Sequence, residues 1–312
     1  MNVKHFVSIT DLTAKEIETL LKKAIVLKKK TKAGKAPKDI LRDKTMVMIF
    51  EKPSLRTRLS FEIAMTHFGG HAIYLGPSDI GLGKREATSD IAIVTSSMAD
   101  IIMARTFSHA VVEELAQYSS VPVINALTDM EHPCQILADF QTILEVKKKL
   151  KGLTIAFVGD AENNVTHTMA LGAAMLGINF RVGAPKGYTM DKTMAKRAYE
   201  LAAKTEAKIV ETNDPKEAVK GADVVVADTW VSMGDEKEKE ARLKLFKPYQ
   251  VTKDLMKLAK KDAMFMHCLP AYRGNEVTPE VIDGPQSYVF QEAENRLHAQ
   301  KALMLYLLGK LK

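Results

Sequence analysis

Nine short apolar runs limit most strictly what this chain can fold into. Met46–Phe50, Ala72–Leu75, Ile101–Ala104 and Val121–Ile124 lie in the first half. Leu153–Val158, Phe180–Val182, Lys208–Val210, Val224–Ala227 and Met264–His267 lie in the second. Each has the length of a strand, and helical stretches separate them. Strands that do not alternate polar and apolar residues are buried on both faces, and a strand–helix alternation makes parallel sheets covered by helices. The expected fold is therefore α/β, with two similar domains, each a mainly parallel sheet flanked by helices. A length of 312 residues suits two domains. The boundary is expected at Gly152, after a helix from about Gln135 to Lys149.

Composition removes several classes. With 46% hydrophobic and 27% charged residues, the chain has material for two cores and is neither disordered nor fibrous. No apolar run approaches the roughly 18 residues of a membrane span, so no membrane partner is expected. The N-terminal MNVKHFVSIT lacks an export pattern, which points to the cytoplasm. The two cysteines, Cys134 and Cys268, cannot build a disulfide scaffold and fit a reducing compartment. The net charge of +7 would suit nucleic acid or small anions. The basic runs Lys28–Lys30 and Lys147–Lys149 end helices, where cations suit the dipole. Aromatics are 6% and none interleave with these lysines, so both runs read as solvated helix ends and no nucleic-acid partner is expected.

The chemistry concentrates where strands end. A capping box, Thr13 to Glu16, opens the first helix. Pro53-Ser-Leu-Arg-Thr-Arg58 lies between a strand and a helix. Backbone N–H groups of a helix start, the hydroxyls of Ser54 and Thr57 and the forked donors of Arg56 and Arg58 make an anion site. Its place beyond a parallel strand's carboxyl end is where open α/β sheets bind ligands. Arg105 closes another strand and can face the same anion, whereas His109 reads as a capping or surface histidine. His132-Pro-Cys-Gln135 opens a helix, and a neutral imidazole with an amide can donate to a polarised carbonyl oxygen. Cys134 reads as a packed residue, and no metal pair is expected there.

In the second half, Gly159-Asp-Ala-Glu-Asn-Asn164 lacks the glycine spacing of a dinucleotide loop. Asn163 and Asn164 either bind a polar group or cap the helix. Asp228 ends a strand and can pair with an ammonium group; Ser232 and Gly234 begin a loop able to close over a ligand. Trp230 reads as packing, and Asp235–Lys239 as an exposed mixed-charge run. Cys268 ends a strand and can orient or deprotonate an amine, while strand alternation sends His267 to the opposite face. The tail Ala293–Leu308 reads as one amphipathic helix, with Arg296 exposed by default.

Together these motifs resemble the aspartate/ornithine carbamoyltransferase family over essentially the whole chain. Ser54-Leu-Arg-Thr-Arg58 is similar to the family's carbamoyl-phosphate signature, with Leu55 where threonine is usual. Arg105, His132–Gln135 and Arg296 match as well. Asp228 with Ser232-Met233-Gly234, and His267-Cys-Leu-Pro270, resemble the ornithine branch. The resemblance implies a carbamoyl-phosphate domain over 1–150, completed by a C-terminal helix (about 292–312) that returns to it, and an ornithine domain over 151–291.

The resemblance further implies that Ser54, Leu55, Arg56, Thr57 and Arg105 hold the phosphate. Thr57, Arg105 and His132 would polarise the carbamoyl oxygen, Gln135 and the Leu269 carbonyl would orient the carbamoyl NH2, and Arg296 would contact the same substrate. Asn164, Ser232 and Met233 would hold the amino-acid end of L-ornithine, with Asp228 and Cys268 around its δ-amine. No cofactor and no metal are implied, and the assembly would be a homotrimer or a multiple of trimers. A related amine, such as N-acetylornithine or putrescine, is the alternative second substrate. One position departs from the family: its usual glutamine after the third strand aligns with Gly81, near Lys84 and Arg85.

Overall fold

A computed structural model describes residues 3–82, 85–231 and 236–311. The chain divides into two compact units, residues 1–141 with 294–312, and residues 142–293. The first holds β1 (Thr45–Phe50), β2 (His71–Leu75), β3 (Ile101–Arg105) and β4 (Val123–Leu127). Its helices are α1 (Ala14–Lys32), α2 (Leu55–His67), α3 (Pro77–Ile80), α4 (Thr88–Met98) and α5 (His109–Tyr118), and α6 (Pro133–Lys147) leads out of it. The second holds β5 (Thr154–Val158), β6 (Asn179–Gly183), β7 (Ile209–Thr212), β8 (Val224–Val226) and β9 (Met264–Met266). Its helices are α7 (Asn164–Met175), α8 (Lys192–Ala202), α9 (Pro215–Val219), α10 (Lys239–Phe246), α11 (Lys253–Met256) and α12 (Pro279–Ile282), and α13 (Val289–Leu307) carries the chain back.

Both sheets are wholly parallel, in the orders β2-β1-β3-β4 and β7-β6-β5-β8-β9. The apolar runs are the cause. Met46–Phe50, Ile101–Ala104 and Ile155–Val158 are buried along their whole length, as strands covered on both faces must be. Each order contains one reversal, between β1 and β3 in the first sheet and between β5 and β8 in the second. The crevice beyond such a reversal is the binding position of open α/β sheets. Register sets what stands there: Phe50 pairs with Arg105, Phe157 with Val226, and Val226 with Met266. The loop Glu51–Ser54 therefore starts beside Arg105, and Asp228 and Cys268 each lie two residues past register-matched positions.

Helix starts follow local chemistry. Thr13 Oγ1 accepts from the Glu16 N–H at 3.2 Å and Glu16 Oε2 from the Thr13 N–H at 2.8 Å, which is the expected capping box. Ser54 caps α2 and Asn163 caps α7.

Two expectations are corrected. The C-terminal helix starts at Val289 and is not amphipathic: Asn295, Arg296, Gln300 and Lys301 are buried beside Ala302–Leu305. Polar side chains can be buried there because partners meet them. Lys28 Nζ donates to Asn295 Oδ1 at 2.7 Å and Lys301 Nζ meets His67 Nδ1 at 2.7 Å. Lys28 is accordingly buried rather than a solvated helix end. The mixed-charge run is exposed over Lys237–Lys239, as expected; Glu236–Glu238 forms a 3-10 turn and Lys239 starts α10, which buries Arg242 and Phe246. Asp235 itself lies outside the described residues. Among the described residues, no helix is long and apolar enough to cross a membrane.

Candidate active site

In the first unit the α2 start, the end of β3, the α6 start and α13 converge. Thr57 is fully buried in the first turn of α2, and its N–H faces the Ser54 hydroxyl at 3.4 Å. Arg296, 2% exposed, sends Nη2 to Thr57 Oγ1 at 3.3 Å and Nη1 to Gln135 Oε1 at 2.6 Å. Gln135 Nε2 donates in turn to Asp139 Oδ1 at 2.8 Å. The exposed-arginine reading of Arg296 is thus overturned, since α13 places its guanidinium between two donor-rich helix starts. Arg105 is buried at the end of β3, and its carbonyl accepts from the Glu51 N–H at 2.9 Å.

His132 is buried at the foot of α6 and held well below its ordinary range, first by burial and then by Arg296, Arg105 and Arg56. It is a neutral imidazole among three guanidinium groups, able to donate a hydrogen bond without carrying charge. Arg105 and Arg296 are buried and Arg56 is half-buried, a concentration of positive charge that favours a small anion. Sign follows from burial: an unfolded histidine takes up a proton below about pH 6.5, and the buried one does not. The stability due to this neutral state is full above pH 6.5 and is lost as pH falls below it, by about 1.4 kcal/mol per pH unit at the steepest. His132→Gln should remove that part of the acid slope in urea midpoints measured from pH 7 to 5. Identical slopes for both chains would refute the assignment.

Two neighbours change the reading of the motif. Arg58 turns away: its Nε pairs with Glu62 Oε1 at 3.0 Å and its guanidinium lies 4.1 Å from the Tyr74 ring centroid. Lys52 was missed. Its amine is held below the ordinary lysine value by burial and then by Arg105, against the pull of Asp129 and Glu51, and it lies 4.3 Å from the Phe107 ring centroid. The usable signal was a cation between the strand and the Ser54 cap. The Leu55 side chain is 70% exposed, so only its backbone belongs to the site. Cys134 is packed: Sγ donates to the Asn125 carbonyl at 3.3 Å, and burial pushes the thiol up to about 12.

In the second unit, Asp228 and Cys268 meet. Asp228 Oδ1 accepts from its neighbour Thr229 N–H at 2.8 Å and from the Cys268 thiol at 3.2 Å. Both are partly open to solvent. Asn164 is the first residue of α7, beyond the end of β5, with Asn163 Oδ1 capping Thr166 N–H at 2.8 Å. Asn163 is therefore the cap, and Asn164 opens the helix behind it. Ser232 and Met233, with Gly234, lie outside the described residues.

His267 is not on the far side of a strand from Cys268. The strand ends at Met266, and a ring nitrogen of His267 lies within 4.8 Å of both Cys268 Sγ and an Asp228 oxygen. Among the described residues this trio is the one group arranged like metal ligands. It does not fit a resident metal, because both ring nitrogens are committed. Nδ1 accepts from the Leu269 N–H at 2.9 Å, and Nε2 faces Glu276 Oε1 at 3.2 Å. His267 instead fixes the Cys268–Leu269 turn, where Leu269 takes a left-handed backbone with φ of 59°. A non-glycine residue held there marks a strained, over-determined position.

Gly81 follows β2 and α3, after the second strand rather than the third, and its backbone is also left-handed, with φ of 56°. A Cβ added there would stand 2.9 Å from Arg85 Cβ, so the family's glutamine would not fit without displacing Arg85. Lys84 lies outside the described residues.

Comparison with known proteins agrees with this geometry. Residues 4–145 match the carbamoyl-P binding domain of aspartate/ornithine carbamoyltransferase, and residues 151–307 match its Asp/Orn binding domain. The chain is 53% identical over 310 residues to the ornithine carbamoyltransferase of Caldicellulosiruptor saccharolyticus, covering 99% of this chain and all of that one. It is 50% identical to the anabolic ornithine carbamoyltransferase of Pyrococcus furiosus, covering 99% of this chain and 98% of that one. The solved Pyrococcus furiosus structure superposes with a TM-score of 0.95 at 49% identity, covering 99% and 98% of the two chains. That of the anabolic enzyme from Campylobacter jejuni gives 0.91 at 41% identity, covering 98% and 99%. The chain belongs to the aspartate/ornithine carbamoyltransferase family.

Proposed function

We propose that this chain transfers the carbamoyl group of carbamoyl phosphate to the δ-amine of L-ornithine, giving L-citrulline and phosphate. The observation that carries the choice of amine is the Asp228–Cys268 pair. A carboxylate with a thiol at the ends of neighbouring strands suits an ammonium group and repels the acidic side of aspartate. The names of the half-identical relatives support the same reaction.

Carbamoyl phosphate is a small dianion. Ser54, Arg56, Thr57 and Arg105, with the first N–H groups of α2 at Leu55, hold its phosphate, and Lys52 adds a further cation. Thr57, Arg105 and neutral His132 aim donors at the carbamoyl oxygen, where negative charge develops. Gln135 and the Leu269 carbonyl orient the carbamoyl NH2, and Arg296 fixes Gln135 and Thr57 as it contacts the substrate. Asn164, Ser232 and Met233 hold the α-amino-acid end of ornithine. Asp228 and Cys268 hold the δ-amine.

A δ-amine resembles a lysine, with an ordinary pKa near 10.4, so freeing its lone pair at pH 7 costs about 4–5 kcal/mol. Desolvation lowers that cost by disfavouring the charged form. The lone pair attacks the carbamoyl carbon and a C–N bond forms. The bond to the phosphate oxygen then breaks, and the proton shed by nitrogen goes to the departing phosphate. Cys268 positions the amine and stays unacylated. Mixing the chain with carbamoyl phosphate and ornithine should give citrulline and phosphate in equal amounts. Phosphate released without citrulline would overturn the assignment.

The assembly is a homotrimer or a multiple of trimers. Leu55, Leu59 and Ile63 form an exposed stripe at four-residue spacing on α2, and Ile93, Val94 and Met98 are exposed on α4, with Met98 at 79%. Apolar surface of this kind marks a protein interface, and its occupant is a second copy of the chain. Leu59→Glu should lower the particle mass by light scattering; an unchanged mass would exclude this face. Two free thiols and the absence of a membrane-spanning helix among the described residues suit the cytoplasm.

A further inference from the structure

Outside the residues assigned to substrate, the second unit buries one more charged pair. Arg242 on α10 is 5% exposed and Asp160, just past β5, is 4% exposed. Arg242 Nη2 bonds to Asp160 Oδ2, and Arg242 Nε donates to the Trp230 carbonyl at 2.6 Å. The guanidinium also lies 5.2 Å from the Tyr188 ring centroid and 5.3 Å from that of Phe246. One rigid fork thus ties α10 to the segment after β8 and to the turn after β5, which lies 82 residues away.

Two of those segments carry groups assigned to ornithine. Asp160 organises the turn that delivers Asn164. Its Oδ1 accepts from the Glu162 N–H at 3.0 Å, and its carbonyl accepts from Asn163 Nδ2 at 2.9 Å. Asn163 then caps α7, whose first residue is Asn164. Trp230 stands two residues after Asp228. Its ring stacks on Phe246 with centroids 5.9 Å apart, and its Nε1 lies 3.2 Å from where a Gly159 Cβ would be. A side chain at Gly159, where φ is 132°, would strain the backbone and crowd the Trp230 ring.

A buried ion pair is poor at adding net stability, because desolvating two charges offsets their attraction. Apolar residues would hold α10 to Trp230 and Tyr188 as well. What the pair does supply is direction: a planar fork with two acceptors at fixed angles. We infer that Arg242 and Asp160 are positioning residues for the second substrate. They hold the β5–α7 turn and the segment after β8 at the separation that lets Asn164 and Asp228 grip the two ends of one diamino acid. This rests on the assignment of ornithine above.

The test uses the full-length chain with Arg242→Lys and Asp160→Asn. The first keeps charge and loses the fork; the second keeps an acceptor and loses charge. Each should raise the ornithine KM at least tenfold while the carbamoyl phosphate Kd, by calorimetry, stays within twofold. The double variant should resemble the worse single one, since both break the same coupling. Variants that melt at a lower temperature yet keep the ornithine KM within twofold would reduce the pair to a structural role and overturn the inference. A wild-type chain that makes no citrulline would overturn the reaction itself, so the two failures are told apart by the unmutated control.

Discussion

Arg296→Met is expected to lower kcat/KM for carbamoyl phosphate by about a thousandfold, the upper range for losing one preorganised donor at a developing oxyanion. The side chain is buried and its two terminal nitrogens are spent on Gln135 Oε1 and Thr57 Oγ1. Methionine fills the volume but removes the donor that each buried acceptor takes from Arg296, at about 1–3 kcal/mol each. The two residues proposed to act on the carbamoyl group would then lose their orientation at once. Among the charges holding His132 down Arg296 has the largest effect, so the variant's imidazole should titrate closer to its ordinary range. Arg296→Lys should recover that charge effect and little of the rate, because an ammonium cannot span both acceptors. Steady-state rates with ornithine saturating check this. A loss smaller than tenfold would mean that Arg296 is a structural buried charge.

Asp228→Asn is expected to act on the other substrate. A hydrogen bond to a charged group is worth about 1.5–3 kcal/mol, so losing the carboxylate should raise the ornithine KM by about 10- to 100-fold. The carbamoyl phosphate Kd should not change, since Asp228 belongs to the second unit and the cation cluster to the first. kcat should fall as well, because the carboxylate no longer holds the amine in its attacking orientation. The Cys268 thiol, which donates to Asp228 Oδ1, would keep an acceptor in the asparagine oxygen. A variant with unchanged ornithine KM would remove Asp228 from the amine site.

The strands and the helix caps were legible because they rest on local patterns. Short unalternating apolar runs at Met46–Phe50 and Leu153–Val158 can only be buried strands, and Ser54 before a helix start is a cap with its own hydrogen-bond logic. The family resemblance then placed each residue role on a matching motif.

Residues whose environment comes from distant sequence were not legible. Lys28 looked like a solvated helix end, and its acceptor Asn295 lies 267 residues away. Arg296 looked exposed, because helical spacing reports apolar faces and is silent about polar residues buried against partners elsewhere. Asp160 and Arg242 are 82 residues apart, and neither belongs to a motif with a known period. His267 was misplaced for another reason: strand alternation was extended one residue past the end of β9. Lys52, one residue before the Pro53–Arg58 motif, drew no reading, since its effect depends on burial and on Arg105.

The most direct test of the central claim is initial-rate product formation from carbamoyl phosphate with ornithine, aspartate, putrescine and N-acetylornithine assayed in parallel. The account predicts citrulline from ornithine with a kcat/KM at least a hundredfold above any of the other amines. A higher rate with another amine would keep the carbamoyl-phosphate half and contradict the role given to Asp228 and Cys268. No product from any amine would contradict the reaction as a whole.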